Sequence, residues 1–271
     1  YVLINHNIRK NSSFEAKQVK KLLKVNNINL KVLHNKIKIK NNLQSHARNL
    51  RYNLLVKYCL KKNTKSILTA HNLEDQVETF LMRLSRGSGL KGLSAMKPLS
   101  NINSKVDLYR PLLDVKKKYL IKISKSIFGT YFKDPSNKNT NYLRTKIRSL
   151  KKPIENSGIK YEQIFRSIQN LSSSKNTLDK YLDKIFIDLI KKTKDEILIN
   201  FKKFRGLDKD TKISLINESI KQLKKNYYDL RSKKVDNLIN SLEKKEFKKS
   251  TLGGCIFFKK DGNLCLKVEK R

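Results

Sequence analysis

The sequence is short of nearly everything that would mark an extracellular, fibrous or membrane chain. It has no tryptophan, three cysteines, four prolines and nine glycines in 271 residues. Three cysteines (Cys59, Cys255 and Cys265) cannot build a disulfide framework, and none stands at CxxC spacing for a metal or redox motif. The expected compartment is therefore a reducing cytoplasm. So little proline and glycine excludes a collagen-like or linker-dominated chain. No apolar run approaches the roughly 20 residues a bilayer-crossing helix needs, so no membrane partner is expected. The opening Tyr1–Asn5 reads as a strand with no basic region before it, unlike a signal peptide. Carboxylates are the other scarcity, with 23 acids against 62 lysines and arginines and a formal charge of +39.

What is present is enough for about two packed domains, at 38% hydrophobic and 31% charged residues. A genome rich in A and T accounts for much of the lysine, but the resulting field still draws polyanions. RNA, DNA and acidic lipid all answer to it, so charge alone does not choose between them. Its distribution is more informative. Residues 1–150 hold 32 basic and seven acidic side chains, and three of those seven acids are Glu74, Asp75 and Glu78.

Periodicity predicts strands at 1–5, 28–39 and 66–70, and an extended piece near 108–113. Helices are expected over 12–23, where Ser12 and Glu15 form a capping-box pattern, and over 43–60, 73–85 and 115–127. Gly87 and Gly89 punctuate the end of the third of these helices. Strands alternating with helices imply an α/β fold, a parallel sheet covered on both faces, with ligands beyond the carboxyl ends of its strands. After residue 150 the pattern turns helical (161–171, 177–192, 209–224 and 232–242). It ends in two strands flanking Asp261-Gly262, a two-residue type I′ turn. The expected division is 1–150, a catalytic domain, and 151–271, a smaller, mainly helical α+β domain.

Leu68–Met96 is the richest stretch: LTAHNLEDQVETFLMRLSRGSGLKGLSAM. Asn72 can cap the following helix, with Glu74 and Asp75 in its first turn favouring the helix dipole. The same geometry lets His71, at a strand end, and Asp75, four residues on, converge on one ligand. A carboxylate beside a nucleotide commonly holds Mg²⁺. Arg83 and Arg86 suit either an anionic ligand or the helix C-terminal dipole.

This string resembles the signature of the tRNA(Ile)-lysidine synthetases, bacterial members of the PP-loop ATP pyrophosphatase superfamily. That signature runs roughly T-A-H-H-x-D-D-Q-x-E-T, then L-x-R-G-S-G-L-x-G-L-x-A-M. Asn72 stands where a second His is usual and Glu74 where the first Asp is usual. The likeness continues in order. Asn5-His6-Asn7-Ile8-Arg9 is similar to D-H-G-L-R, Ser13-Phe14-Glu15-Ala16 to S-x-E-A, and Ala47 to Tyr52 to A-R-x-x-R-Y. Arg110-Pro111-Leu112-Leu113 resembles R-P-L-L. Asp134-Pro135-Ser136-Asn137 with Arg144 and Arg148 resembles D-x-S-N…R-N-x-I-R, with Thr145 in place of Asn. Thr251 to Cys255 is similar to the strand that opens the family's first C-terminal domain. The family's phosphate loop, S-G-G-x-D-S, is not in this sequence. Its place in the family is just before the D-H-G-L-R strand, so a further strand, loop and helix are expected upstream of Tyr1.

The resemblance implies an ATP-dependent ligase acting on a tRNA(Ile) with a CAU anticodon. The wobble cytidine O2 attacks the α-phosphorus of ATP and pyrophosphate leaves; the ε-amine of free L-lysine then attacks C2 and expels AMP, leaving lysidine. It further implies Asp75 at Mg²⁺ or phosphate with His71 beside it, Arg51 at the α-phosphate and Arg86 on the nucleotide side. Asp134, Arg144 and Arg148 fall on the lysine side, because a zwitterion needs an acid and a cation. Tyr227, Tyr228, Phe257 and Phe258 are candidate base-stacking residues. A homodimer is left open. Two other readings stand beside this one: a thiolating PP-loop tRNA enzyme, which the lack of paired cysteines in 1–150 disfavours, and a non-catalytic tRNA-binding protein.

Overall fold

A computed structural model describes residues 1–7, 11–35, 43–103, 105–132, 142–193, 195–224, 230, 232–244 and 246–269. The chain divides into two compact units, Tyr1–Ser172 and Ser173–Arg271. The division falls beyond residue 150, where the sequence pattern changes. Among the described residues no helix is long and apolar enough to cross a membrane.

The first unit runs β1 (Val2–Asn5), α1 (Ser12–Val25), β2 (Lys31–His34), α2 (Leu43–Lys61), β3 (Ser66–Leu68), α3 (Leu73–Leu84) and α4 (Leu90–Leu93). It continues through β4 (Leu99–Asn103), β5 (Val106–Tyr109), α5 (Lys117–Phe128), α6 (Leu143–Ser149), α7 (Lys151–Asn156) and the start of α8 (Tyr161–Leu189). β1 pairs with β2 in parallel, and β3 pairs with β5 in parallel. This is the α/β arrangement the alternation predicts. The unforeseen β4 adds to β5 antiparallel, with a register shift between Asn101 and Asn103. α1 packs on β1 and β2, while α2 packs on β1, β3 and β5. Cys59 on α2 meets Ile67, Val106 and Leu108 in one buried cluster.

α3 illustrates how the local sequence builds the site. Its apolar stripe buries Leu73 and Val77 against Ala95, Tyr161 and Ile168. Burying a side chain the size of Val77 contributes about 1.5–3 kcal/mol. Asn72 caps the helix through a reciprocal box in which its side chain accepts from the Asp75 N–H and Asp75 accepts from the Asn72 N–H. At α1 the N-cap differs from the expected Ser12. The N-cap is Asn11, one residue early and without a side-chain cap bond, and the Ser13 hydroxyl accepts from Asn5 Nδ2 at 3.0 Å.

The second unit carries the rest of α8, then β6 (Ile190–Lys192), β7 (Glu196–Asn200), α9 (Phe201–Arg205), α10 (Lys209–Leu223) and α11 (Ser232–Leu242). It ends in β8 (Lys249–Leu252), β9 (Cys255–Lys260) and β10 (Asn263–Val268). The five strands form one sheet in the order β6-β7-β10-β9-β8, with every pairing antiparallel. Asp261 and Gly262 have φ of 49° and 71°, the two positive values of a type I′ turn. The two helices expected at 161–171 and 177–192 are one continuous helix. The intervening serines weaken a helix but do not break it, and Lys175 pairs with Asp179 one turn on. The sheet is also larger than the terminal hairpin alone implies. Ile197 and Ile199 of β7 are fully buried with Phe257, Leu264 and Leu266.

Candidate active site

His71 follows β3 at the carboxyl end of its strand, where a parallel sheet presents its ligand site. Thr69 N–H donates to the Tyr109 carbonyl at 2.9 Å, and the Thr69 hydroxyl meets His71 Nδ1 at 2.9 Å. Burial drives the imidazole pKa down to about 4, against the opposing pull of Asp75. Arg110, Arg48 and Arg144 push it the same way as burial. At neutral pH His71 is therefore uncharged, and three guanidiniums act on it.

One helical turn on, Asp75 is fully engaged. Its Oδ2 accepts from the Asn72 N–H at 3.1 Å, and its Oδ1 accepts from Arg144 Nη2 at 2.8 Å. Arg144 Nε donates to Glu78 Oε2 at 2.7 Å, and Arg148 Nε donates to Glu78 Oε1 at 2.6 Å. Arg148 Nη2 also lies 3.6 Å from Asp75 Oδ1. Two carboxylates on α3 and two guanidiniums on α6 thus neutralise one another, with the Glu78 side chain only 6% exposed. A paired, hydrogen-bonded geometry of this kind is what a nearly buried carboxylate needs to remain charged. Glu74 faces another way. Its Oε2 accepts from the Lys117 backbone N–H at 2.8 Å, and its Oε1 lies 3.3 Å from Lys151 Nζ.

The segment after α3 is held rigidly to it. Gln76 makes a two-bond clamp on Met96, donating to its carbonyl and accepting from its N–H, both at 2.8 Å. Arg83 Nη1 donates to the carbonyls of Gly92 at 2.6 Å and Ala95 at 2.9 Å. Between them Ala95 is held at φ 53°, a left-handed conformation costly for a residue with a Cβ. Gly92 leaves no room for a side chain, since a Cβ there would stand 2.6 Å from Ser88 Cβ.

Of the residues singled out from sequence, His71, Asp75, Arg144 and Arg148 come together. Asp75 and Arg144, expected on the nucleotide and lysine sides respectively, are direct ion-pair partners. Arg51 lies on the exposed face of α2, where its Nε donates to His6 Nε2 at 3.3 Å. Arg86 is exposed and outside the cluster. Asp134, Tyr227 and Tyr228 lie outside the described residues. Of the candidate stacking residues that are described, Phe257 is fully buried in the second unit's core, and Phe258 is half-buried under Lys267. Sequence reasoning gave no role to Gln76 or the carboxylate of Glu78, and it read Arg83 as a partner of an anion or of the helix dipole, whereas its Nη1 holds the Gly92 and Ala95 carbonyls. The i, i+4 arginines at 144 and 148, matched to i, i+3 acids at 75 and 78, were the readable signal for Glu78.

Each Asp75 oxygen accepts one hydrogen bond, and among the described residues no three His, Cys, Asp or Glu side chains converge on a metal position.

Residues 1–153 match the PP-loop domain. The chain belongs to that family. ATP use is implied by membership in this PP-loop family. The chain is 32% identical over 267 residues to the tRNA(Ile)-lysidine synthase of Wolbachia pipientis wMel, covering 97% of this chain and 62% of that protein. It is 40% identical over 150 residues to the protein of the same name from Bradyrhizobium diazoefficiens, covering 55% of this chain and 41% of that one. The chain thus spans about 60% of the length of the Wolbachia relative. Among solved structures, the U34-tRNA thiolase NcsA from Methanococcus maripaludis with its [4Fe-4S] cluster aligns at a TM-score of 0.50 and 17% identity. That alignment covers 64% of this chain and 60% of that one, a likeness of fold.

Proposed function

We propose that this PP-loop protein is a tRNA-modifying ligase that uses ATP to join L-lysine to C2 of the wobble cytidine in the CAU anticodon of tRNA(Ile). The observation that carries this reading is the uncharged His71 at the end of β3, in the field of Arg48, Arg110 and Arg144. That site suits the phosphates of ATP, and the curated relatives bear the matching name.

In this reading cytidine O2 forms a bond to the α-phosphorus as pyrophosphate departs. The ε-amine of lysine then bonds to C2, AMP departs with the oxygen, and the amine loses its proton. The protein contributes position and charge neutralisation. His71, uncharged, donates or accepts one hydrogen bond without adding charge. Arg51 and Arg86, exposed cations, reach the phosphates. Arg144 and Arg148, together with Asp134, hold the lysine zwitterion, and Asp75 and Glu78 fix the two guanidiniums in place. The lysine-rich surface follows the tRNA backbone, while the splayed anticodon base confers specificity.

The test is lysine incorporation into unmodified tRNA(Ile) by the full-length gene product and by Asp75→Ala and Arg51→Ala. Both variants are expected to lose at least tenfold in rate. Wild-type rates in either would refute the role assigned to it.

A further inference from the structure

Thr69 and His71 both lie on the segment that leaves β3. The Thr69 backbone is tied to the sheet. Its N–H donates to the Tyr109 carbonyl at 2.9 Å, which extends the parallel pairing of β3 with β5 by one bond. A β-branched side chain on so fixed a backbone has few χ1 choices. In the one Thr69 adopts, its hydroxyl oxygen lies 2.9 Å from His71 Nδ1 and 3.5 Å from the Tyr109 carbonyl oxygen.

A hydroxyl carries one proton, and two acceptors compete for it here. Bonds from a hydroxyl to an oxygen run about 2.5–3.0 Å. The Tyr109 carbonyl is beyond that range at 3.5 Å, and it already receives the Thr69 N–H. His71 Nδ1, at 2.9 Å, is the better acceptor. Were Nδ1 the donor, the hydroxyl proton would be left with the long contact alone. An uncharged imidazole has one protonated nitrogen, and the bond made by the other nitrogen decides which. With Nδ1 accepting, the ring proton sits on Nε2. Among the described residues no hydrogen bond takes up Nε2, and the atom is not sealed in the interior.

We propose that Thr69 is a positioning residue: its hydroxyl holds His71 in the tautomer protonated at Nε2, so that His71 offers a hydrogen-bond donor to an anionic oxygen and does not serve as a general base. The surroundings agree with a donor. Arg48, Arg110 and Arg144 act on the same ring, and cationic groups in company with an N–H suit an oxyanion rather than an amine. The tautomer rests on the hydrogen-bond geometry alone. That the accepting oxygen belongs to a phosphate of ATP rests on the function proposed above.

The test is ¹⁵N NMR of the full-length gene product labelled at histidine, at neutral pH, with the His71 signals assigned by their loss in His71→Gln. Bare and protonated ring nitrogens differ widely in ¹⁵N shift, and couplings to the ring carbon-bound protons tell Nδ1 from Nε2. The wild type is expected to show a protonated Nε2 and a bare, hydrogen-bonded Nδ1, and Thr69→Ser the same. Thr69→Val keeps the shape and loses the hydroxyl, so its Nδ1 signal should move to that of an unbonded nitrogen. In lysine incorporation Thr69→Val is expected to lower kcat about tenfold with the KM for L-lysine unchanged, the effect of one misplaced hydrogen bond. Thr69→Ser should restore the wild-type rate. ATP is expected to move the Nε2 signal, and L-lysine alone is not. The proposal is overturned if Nδ1 carries the proton in the wild type, or if folded Thr69→Val leaves the Nδ1 signal or kcat unchanged. An Nε2 signal that ATP leaves in place would overturn the phosphate as acceptor. Protonated Nδ1 in a protein that makes lysidine would sink this inference and leave the proposed function standing. A bonded, bare Nδ1 in a protein that makes no lysidine would do the reverse.

Discussion

Arg144 and Glu78 lie 66 residues apart in the chain and meet at 2.7 Å. That contact ties α6 to α3 and holds the Asp75 carboxylate through the other arm of the same guanidinium. The elements that frame the candidate site are thus joined by charge as well as by packing, and removing one partner strands the others.

Glu78→Gln leaves two guanidiniums facing a single remaining carboxylate. We expect a loss of about 3 kcal/mol in unfolding free energy, typical of breaking a largely buried ion pair. Urea denaturation measures it. The double variant Glu78→Gln, Arg148→Gln should recover part of the loss, since it removes the stranded charge. A double variant no more stable than the sum of the singles would contradict the pairing.

Gln76→Ala removes both bonds to Met96. The expected cost is about 1–3 kcal/mol. The more specific signature is hydrogen exchange at the Met96 amide, which donates to Gln76 Oε1. Exchange there should accelerate well beyond the global change, because Ala95 next to it is held in a left-handed conformation that the clamp maintains.

The His71 pKa, about 4 against an ordinary 6.5, gives a signed pH dependence. The unfolded chain takes up this proton before the folded one does. The stability from the neutral imidazole is complete above about pH 6.5 and is lost as pH falls toward 4. His71→Gln should flatten the stability–pH curve in that window. An imidazole resonance titrating near 6.5 in the folded protein would refute the field described for the site.

Much of this was legible in the sequence, for identifiable reasons. Asp261-Gly262 between alternating strands specifies its hairpin because only residues that tolerate positive φ fit a type I′ turn. The α11 boundaries at Ser232 and Leu242 follow from a clean apolar stripe. The Asn72 cap and the strand-end position of His71 are local features, and local features survive into the fold. What was missed depends on distance. β7 has only five residues, and its alternation gains meaning only when β10 pairs with it. The two helices expected at 161–171 and 177–192 are the single α8, because the serines between the two apolar stripes weaken a helix without breaking it. At the site, Asp75 looked available because nothing near it in sequence opposes it. Its partner Arg144 lies 69 residues on, and no local reading places a guanidinium there.

The central claim is best tested on the RNA itself. The full-length gene product is incubated with ATP, L-lysine and unmodified tRNA(Ile), and the wobble nucleoside is identified by mass spectrometry. The account predicts lysidine at that position, with AMP and pyrophosphate released in equal amounts. An unchanged cytidine, or a sulfur-substituted one, would contradict it.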